Sequence, residues 1–159
     1  MCVYFFLVAA YCYGVIEPMN NEEILTSMLH TVQMGQSGIR CVIDRAIAPG
    51  LKTELKSQLK EYDTLEKETL QIAKAQGWKL TNLNPAVETM SSMMAKLQLM
   101  GGETDSKIAG MLIQGNTRGM IQGIKNLRKT PQIAEPVKAL SHKLLNMENL
   151  NIQKSQMYL

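Results

Sequence analysis

The sequence predicts an all-α fold: a four-helix bundle made of one antiparallel pair, a long crossover holding a short helix, and a second antiparallel pair. Three observations predict it. Aromatic residues are scarce, and 12 Met stand beside many Leu and Ile, a supply of long unbranched side chains that favours helices over strands. Apolar residues recur three and four positions apart through four long segments, the mark of helices with one buried stripe. The joints between these segments are short, long and short, so the first two helices and the last two must each return side by side, while the long joint can carry the chain the length of the bundle. At 159 residues the chain makes a single domain that buries roughly two thirds of its unfolded surface with no need of disulfide or metal.

Residues 1–18 differ in composition from the rest of the chain. They hold both Phe, three of the five Tyr, two of the three Cys and one charge, Glu17. No Lys or Arg precedes the apolar run, as a secretory signal requires, and the run falls short of the roughly 20 residues that span a bilayer. Ala9-Ala10-Tyr11 before Cys12 makes a poor lipidation site. Gly14-Val15 can be encoded as a ribosome-binding sequence at a suitable distance upstream, so the segment reads as a mis-called start with Met19 as initiator. A targeting segment or anchor is the alternative. Residues 19–159 form the single bundle domain, with net charge raised from +3 to +4 by the loss of Glu17. Its lone Cys41 suits a small buried hydrophobe in a reducing cytoplasm.

The first helix is expected from Asn21 to Ala48, capped by Asn20 or Asn21, with Glu22 and Glu23 in the turn where the helix dipole favours anions. Leu25, Met28, Val32, Gly35, Ile39, Val42 or Ile43, and Ala46 form its stripe, and Ala48-Pro49-Gly50 stops it. The second runs from Leu51 to Gln76 with Leu51, Leu55, Leu59, Tyr62, Thr69, Leu70 and Ala73 on one face, and ends at Gly77. Residues 79–103 form the crossover, whose short helix begins at Asn84-Pro85 and closes at Gly101-Gly102. Met90, Met93, Met94, Leu97 and Met100 line that helix as packing residues rather than copper ligands. The third long helix begins at Thr104 or Asp105 and runs to Lys129, with Ile108, Leu112, Gly115, Gly119, Gly123 and Leu127 as its stripe. Gly115, Gly119 and Gly123 form a groove for close approach of a neighbour. Asn116, Arg118, Gln122 and Lys125 exclude the membrane version of that motif. After Thr130-Pro131, the fourth runs from Pro136 to Leu159, with Val137, Leu140, Leu144, Ile152 and Leu159 apolar.

Two carboxylates interrupt these stripes. Glu148 falls near the middle of the last one, with Asn151 and Ser155 beside it, and Glu66 falls at the centre of the second. A buried carboxylate must find a partner or stay protonated. The expected arrangement is an internal polar cluster in which the two share a proton or bond to Gln36, Tyr62, Thr69, Asn116 and Asn151. Among function classes, the dispersed Lys and Glu of the second helix and the few aromatics left after residue 18 (Tyr62, Trp78 and Tyr158) exclude a nucleic-acid platform. No nucleophile with its base, phosphate loop or zinc spacing occurs.

In helix order and in these inward carboxylates the chain resembles the ferritin-like superfamily over residues 20–159, and in particular the small uncharacterised four-helix proteins of anaerobic Gram-positive bacteria. Metal-binding members supply a Glu on the first helix of each half and Glu-x-x-His on the second, all facing inward. Here the corresponding stretches read Glu66-Lys-Glu-Thr69 and Glu148-Asn-Leu-Asn151. Both histidines are missing. The first-helix positions carry Gln33 or Gln36 in one half and the Gly115-Asn116 region in the other, while His30 and His142 lie off the stripes. The resemblance therefore implies a ferritin-like protein that has lost di-iron chemistry. The expected function is a non-catalytic structural or interaction module, cytoplasmic, with no cofactor, forming a homo-oligomer or meeting another helical protein. The alternatives are an iron- or manganese-binding or redox protein using Glu66 and Glu148, and a membrane-associated or exported protein if residues 1–18 are retained.

Overall fold

The structure is a computed structural model that describes residues 19–86 and 104–159. Residues 1–18 and the expected short helix beyond Ala86 lie outside the described residues. Helix α1 spans Asn21–Val42. Its cap is reciprocal: the Glu23 amide donates to Asn20 Oδ1 at 2.9 Å, and the Asn20 amide donates to Glu23 Oε2 at 2.8 Å. The helix ends short of the expected Ala48, because Ile43–Arg45 tighten into a 3₁₀ turn and Ala46 and Ala48 are extended. Pro49 disfavours helical geometry in the residue before it and then serves as the opening residue of α2, Pro49–Gln76. α2 closes on Gly77, left-handed at φ 71°, with the Trp78 amide donating to Ala73 O. Helices α3 (Thr104–Lys129) and α4 (Glu135–Ser155) come next, and a last 3₁₀ turn occupies Gln156–Tyr158.

Among the described residues these four helices pack with α1 beside α2 and α3 beside α4, and the pairs are joined by α1 against α3 and α2 against α4. Side-chain contacts set the directions. Asn126, late in α3, donates to Ser27, early in α1, at 2.8 Å, whereas Asp105 at the start of α3 accepts from the Ile47 and Ala48 amides beyond the end of α1. α1 and α3 are therefore antiparallel. Lys143–Glu68 and Lys154–Glu54 show the same of α4 and α2. Leu25, Val32, Ile39, Leu51, Leu55, Leu65, Ile108, Val137 and Leu144 fill the space between them, almost wholly removed from solvent. None of the described helices is long and apolar enough to cross a membrane.

The helical wheel misplaces several stripe residues. Leu70 is 46% exposed and Leu159 68%, while Leu59, Leu127 and Ile152 are half-buried. In α2 the axis position goes to Leu65, and Thr69 and Ala73 continue the inward line, which leaves Leu70 one residue round on the shoulder. Leu159 lies past the last turn, where it stays open to solvent. Free Cys41 is half-buried against the core.

A cavity between α1 and α3 with a carboxyl group on its wall

The register of α4 forces a carboxyl group inward. Val137, Leu140, Leu144 and Met147 step along the buried side at three- and four-residue spacing, and the next positions on that side are Glu148, Asn151 and Ser155. Glu148 is 1% exposed. It reaches across to α3 at Gly119, where its Oε1 occupies the space a Cβ would take. Tyr62 does the same in the other half of the bundle. Its ring lies on α1 at Gly35, where an added Cβ would come within 2.5 Å of the ring. In each half a glycine on the first helix lets a large polar side chain of the second reach the bundle interior.

The polar cluster is satisfied in part. The Tyr62 hydroxyl donates to Asn116 Oδ1 at 3.1 Å, and Asn116 Nδ2 donates to Leu112 O at 2.8 Å. Thr69, Ser141 and Ser155 donate their hydroxyls back to carbonyls four residues earlier. Among the described residues four buried side-chain atoms have no partner: Glu148 Oε2, Gln58 Oε1, and both Asn151 amide atoms. Burial pushes the Glu148 carboxyl up to about 8, from an ordinary 4.5. Tyr62 is held far above the usual phenol range, first by burial and then by the neighbouring Glu148 and Glu61 charges.

Glu66 departs from its expected place. It is half-buried on the seam between α2 and α1, where Gln33 Nε2 donates to its Oε1 at 3.1 Å and Gln36 Nε2 to its Oε2 at 2.9 Å. The two α1 amides draw it to the edge, so the expected cluster splits: Gln36 goes with Glu66, and Tyr62, Asn116 and Asn151 stay inside with Glu148. The expected glycine groove splits as well. Gly119 meets Glu148, and a Cβ at Gly123 would come within 2.9 Å of Leu145, but Gly115 is exposed and faces open space. His142 is exposed, and His30 Nε2 pairs with Thr81 O at 2.8 Å.

Between α1 and α3 the bundle opens into a cavity of about 720 Å³, within the range of small-ligand pockets. Gly35 and Gly38 of α1 and Gly115 and Gly119 of α3 thin its walls, Met34, Ile39, Val42, Met111 and Leu112 make them apolar, and Gln58 and Tyr62 of α2, Asn116 of α3 and Glu148 of α4 complete the lining. Sequence reasoning missed Gln58, which is fully buried. Its position three residues after Leu55 and four before Tyr62 was the available signal. It also missed the rim residues His30 and Arg118, which no periodicity marks.

A di-metal centre of the ferritin-like kind does not fit these residues. Both Glu66 oxygens are occupied by amides, and the position three residues after Glu148 holds Asn151 in place of an imidazole. Among the described residues no three His, Cys, Asp or Glu side chains are grouped so as to hold a metal ion. Compared with family models, curated proteins and solved structures, the chain matches none.

Proposed function

We propose that this chain is a ferritin-like helical protein of the cytoplasm that has lost di-metal chemistry and works without catalysis, as a binding module. The helix directions support the ferritin-like reading. α2 ends beside the start of α1, where the Lys79 amide reaches Glu22, and α3 begins beside the far end of α1, so α2 and α3 run in the same direction. The Glu66 seam supports the loss of chemistry: Gln33 and Gln36, in the place of first-helix carboxylates, bring no negative charge and instead donate to Glu66.

The observation that carries the binding reading is the cavity itself, about 720 Å³ between α1 and α3, with mostly apolar walls and the Gln58, Tyr62, Asn116 and Glu148 side chains in its lining. Titration of isotope-labelled protein with n-hexanol tests it by NMR. The methyl resonances of Met34, Ile39, Val42 and Met111 are expected to shift saturably, and shifts elsewhere or nowhere overturn the reading. Metal content of protein purified without chelator tests the loss of chemistry. Stoichiometric iron or manganese that disappears in both Glu66→Ala and Glu148→Ala would restore the metal-binding alternative.

A further inference from the structure

Resting on that reading of the cavity, we infer that the apolar body of its ligand lies between Gly38 and Gly115, against the bare backbones of α1 and α3, and that these two glycines set the size of molecule the site admits. Other glycines of the described residues are accounted for by the chain itself. An added Cβ would strike the Tyr62 ring at Gly35, the Glu148 carboxyl at Gly119, Leu145 at Gly123 and the Tyr158 hydroxyl at Gly50, while Gly77 is needed for its positive φ. Gly38, Gly110 and Gly115 have no such reason, because a Cβ at each would meet no described atom within 4 Å. Of these three, Gly38 and Gly115 line the cavity and Gly110 does not.

The two stand opposite each other. Asn126 of α3 donates to Ser27 of α1, which fixes the register of these antiparallel helices. Gly38 comes eleven residues after Ser27 and Gly115 eleven before Asn126, so both lie at the same level along the bundle. Eleven residues also make close to three turns, which returns each glycine to the face of the residue it is counted from. Facing glycines let two helices close up until their backbones touch, yet here the space between them stays open as part of the cavity. Glycine is the poorest helix former after proline, and a gap forfeits the dispersion contacts of the atoms around it. The pair therefore lowers stability with no gain in packing among the described residues. A molecule seated between the two backbones restores the missing contacts. Its body is apolar because the side chains that share the lining with these glycines include Met34, Ile39, Val42, Met111 and Leu112.

Titration with n-hexanol, together with thermal melting, tests the inference on four forms of the full chain: the unaltered protein, Gly38→Ala with Gly115→Ala, Gly38→Leu with Gly115→Leu, and Gly110→Leu. Because the added side chains enter free space, the alanine pair is expected to melt at a higher temperature than the unaltered protein and the leucine pair no lower. Hexanol affinity is expected to fall with the size of the side chain, by at least about tenfold for the leucine pair, and to stay unchanged in Gly110→Leu. Unchanged affinity in the leucine pair, a lowered melting temperature in the alanine pair, or an equal loss of affinity in Gly110→Leu overturns the inference, while hexanol binding to the unaltered protein still upholds the cavity. Failure of the unaltered protein to bind hexanol overturns the cavity reading along with it. Should the leucine pair fail to fold, the alanine pair decides: a higher melting temperature with weaker hexanol binding upholds the inference, and any other result overturns it.

Discussion

Glu148 is where this protein departs furthest from an ordinary core. Its folded carboxyl titrates near 8 rather than 4.5, so between those values the folded chain holds a proton that the unfolded chain releases. The contribution is therefore fully present below about pH 4.5 and is lost as pH rises through 8, with stability falling by up to about 1.4 kcal/mol per pH unit inside the window. Denaturant unfolding at a series of pH values should show that fall, and Glu148→Gln, which carries no proton to lose, should flatten it. The glycines give a second, sharper contrast. Gly35→Ala drives a Cβ into the Tyr62 ring, which Asn116 and burial hold in place, so overpacking of about 1–3 kcal/mol outweighs the helix gain of about 1 kcal/mol. Gly115→Ala meets nothing within 4 Å and keeps only the gain. The two variants should move the melting temperature in opposite directions.

At the scale of elements, the joint between α1 and α2 has no side-chain cap of its own, since Ala48 stands at the cap position. α3 fastens the residues just before α2 instead: Asp105 takes the Ile47 amide at 2.7 Å and the Ala48 amide at 2.8 Å. Asp105→Ala should cost about 1–3 kcal/mol, as the loss of hydrogen bonds to a charged group does, measured as a lower denaturant midpoint at unchanged slope. That contact was hidden from the sequence, where Asp105 read as a cap for its own helix. Local chemistry, by contrast, was legible: Asn20 with Glu23, Pro49 and Gly77 mark helix ends by rules that involve only neighbours. So was Glu148, because its stripe is unbroken on the N-terminal side from Val137. Glu66 was not, for a wheel treats each helix alone, and what turned that carboxylate to the edge was Gln33 and Gln36 on another helix. The cavity was illegible for the same reason: four glycines on two helices make a space only once those helices face each other.

The described helices are held by apolar burial, and of their cross-helix ion pairs only Lys154–Glu54 has a largely buried member. Lys143–Glu68, at 2.6 Å, keeps 53% and 34% of its side chains in solvent, and such pairs contribute about 0–1 kcal/mol. Raising sodium chloride from roughly 0.05 to 0.5 M should accordingly shift the unfolding free energy by less than about 1 kcal/mol. The carboxylate of Asp105 has one more outcome, in time rather than in energy. α1 and α2 are neighbours in sequence and can zip together early, but their corner is fastened by a residue that arrives only when the second half of the chain has docked. Removing it should leave the refolding rate as it is and hasten the unfolding rate, so in stopped-flow kinetics this clasp would be the last to close and the first to let go.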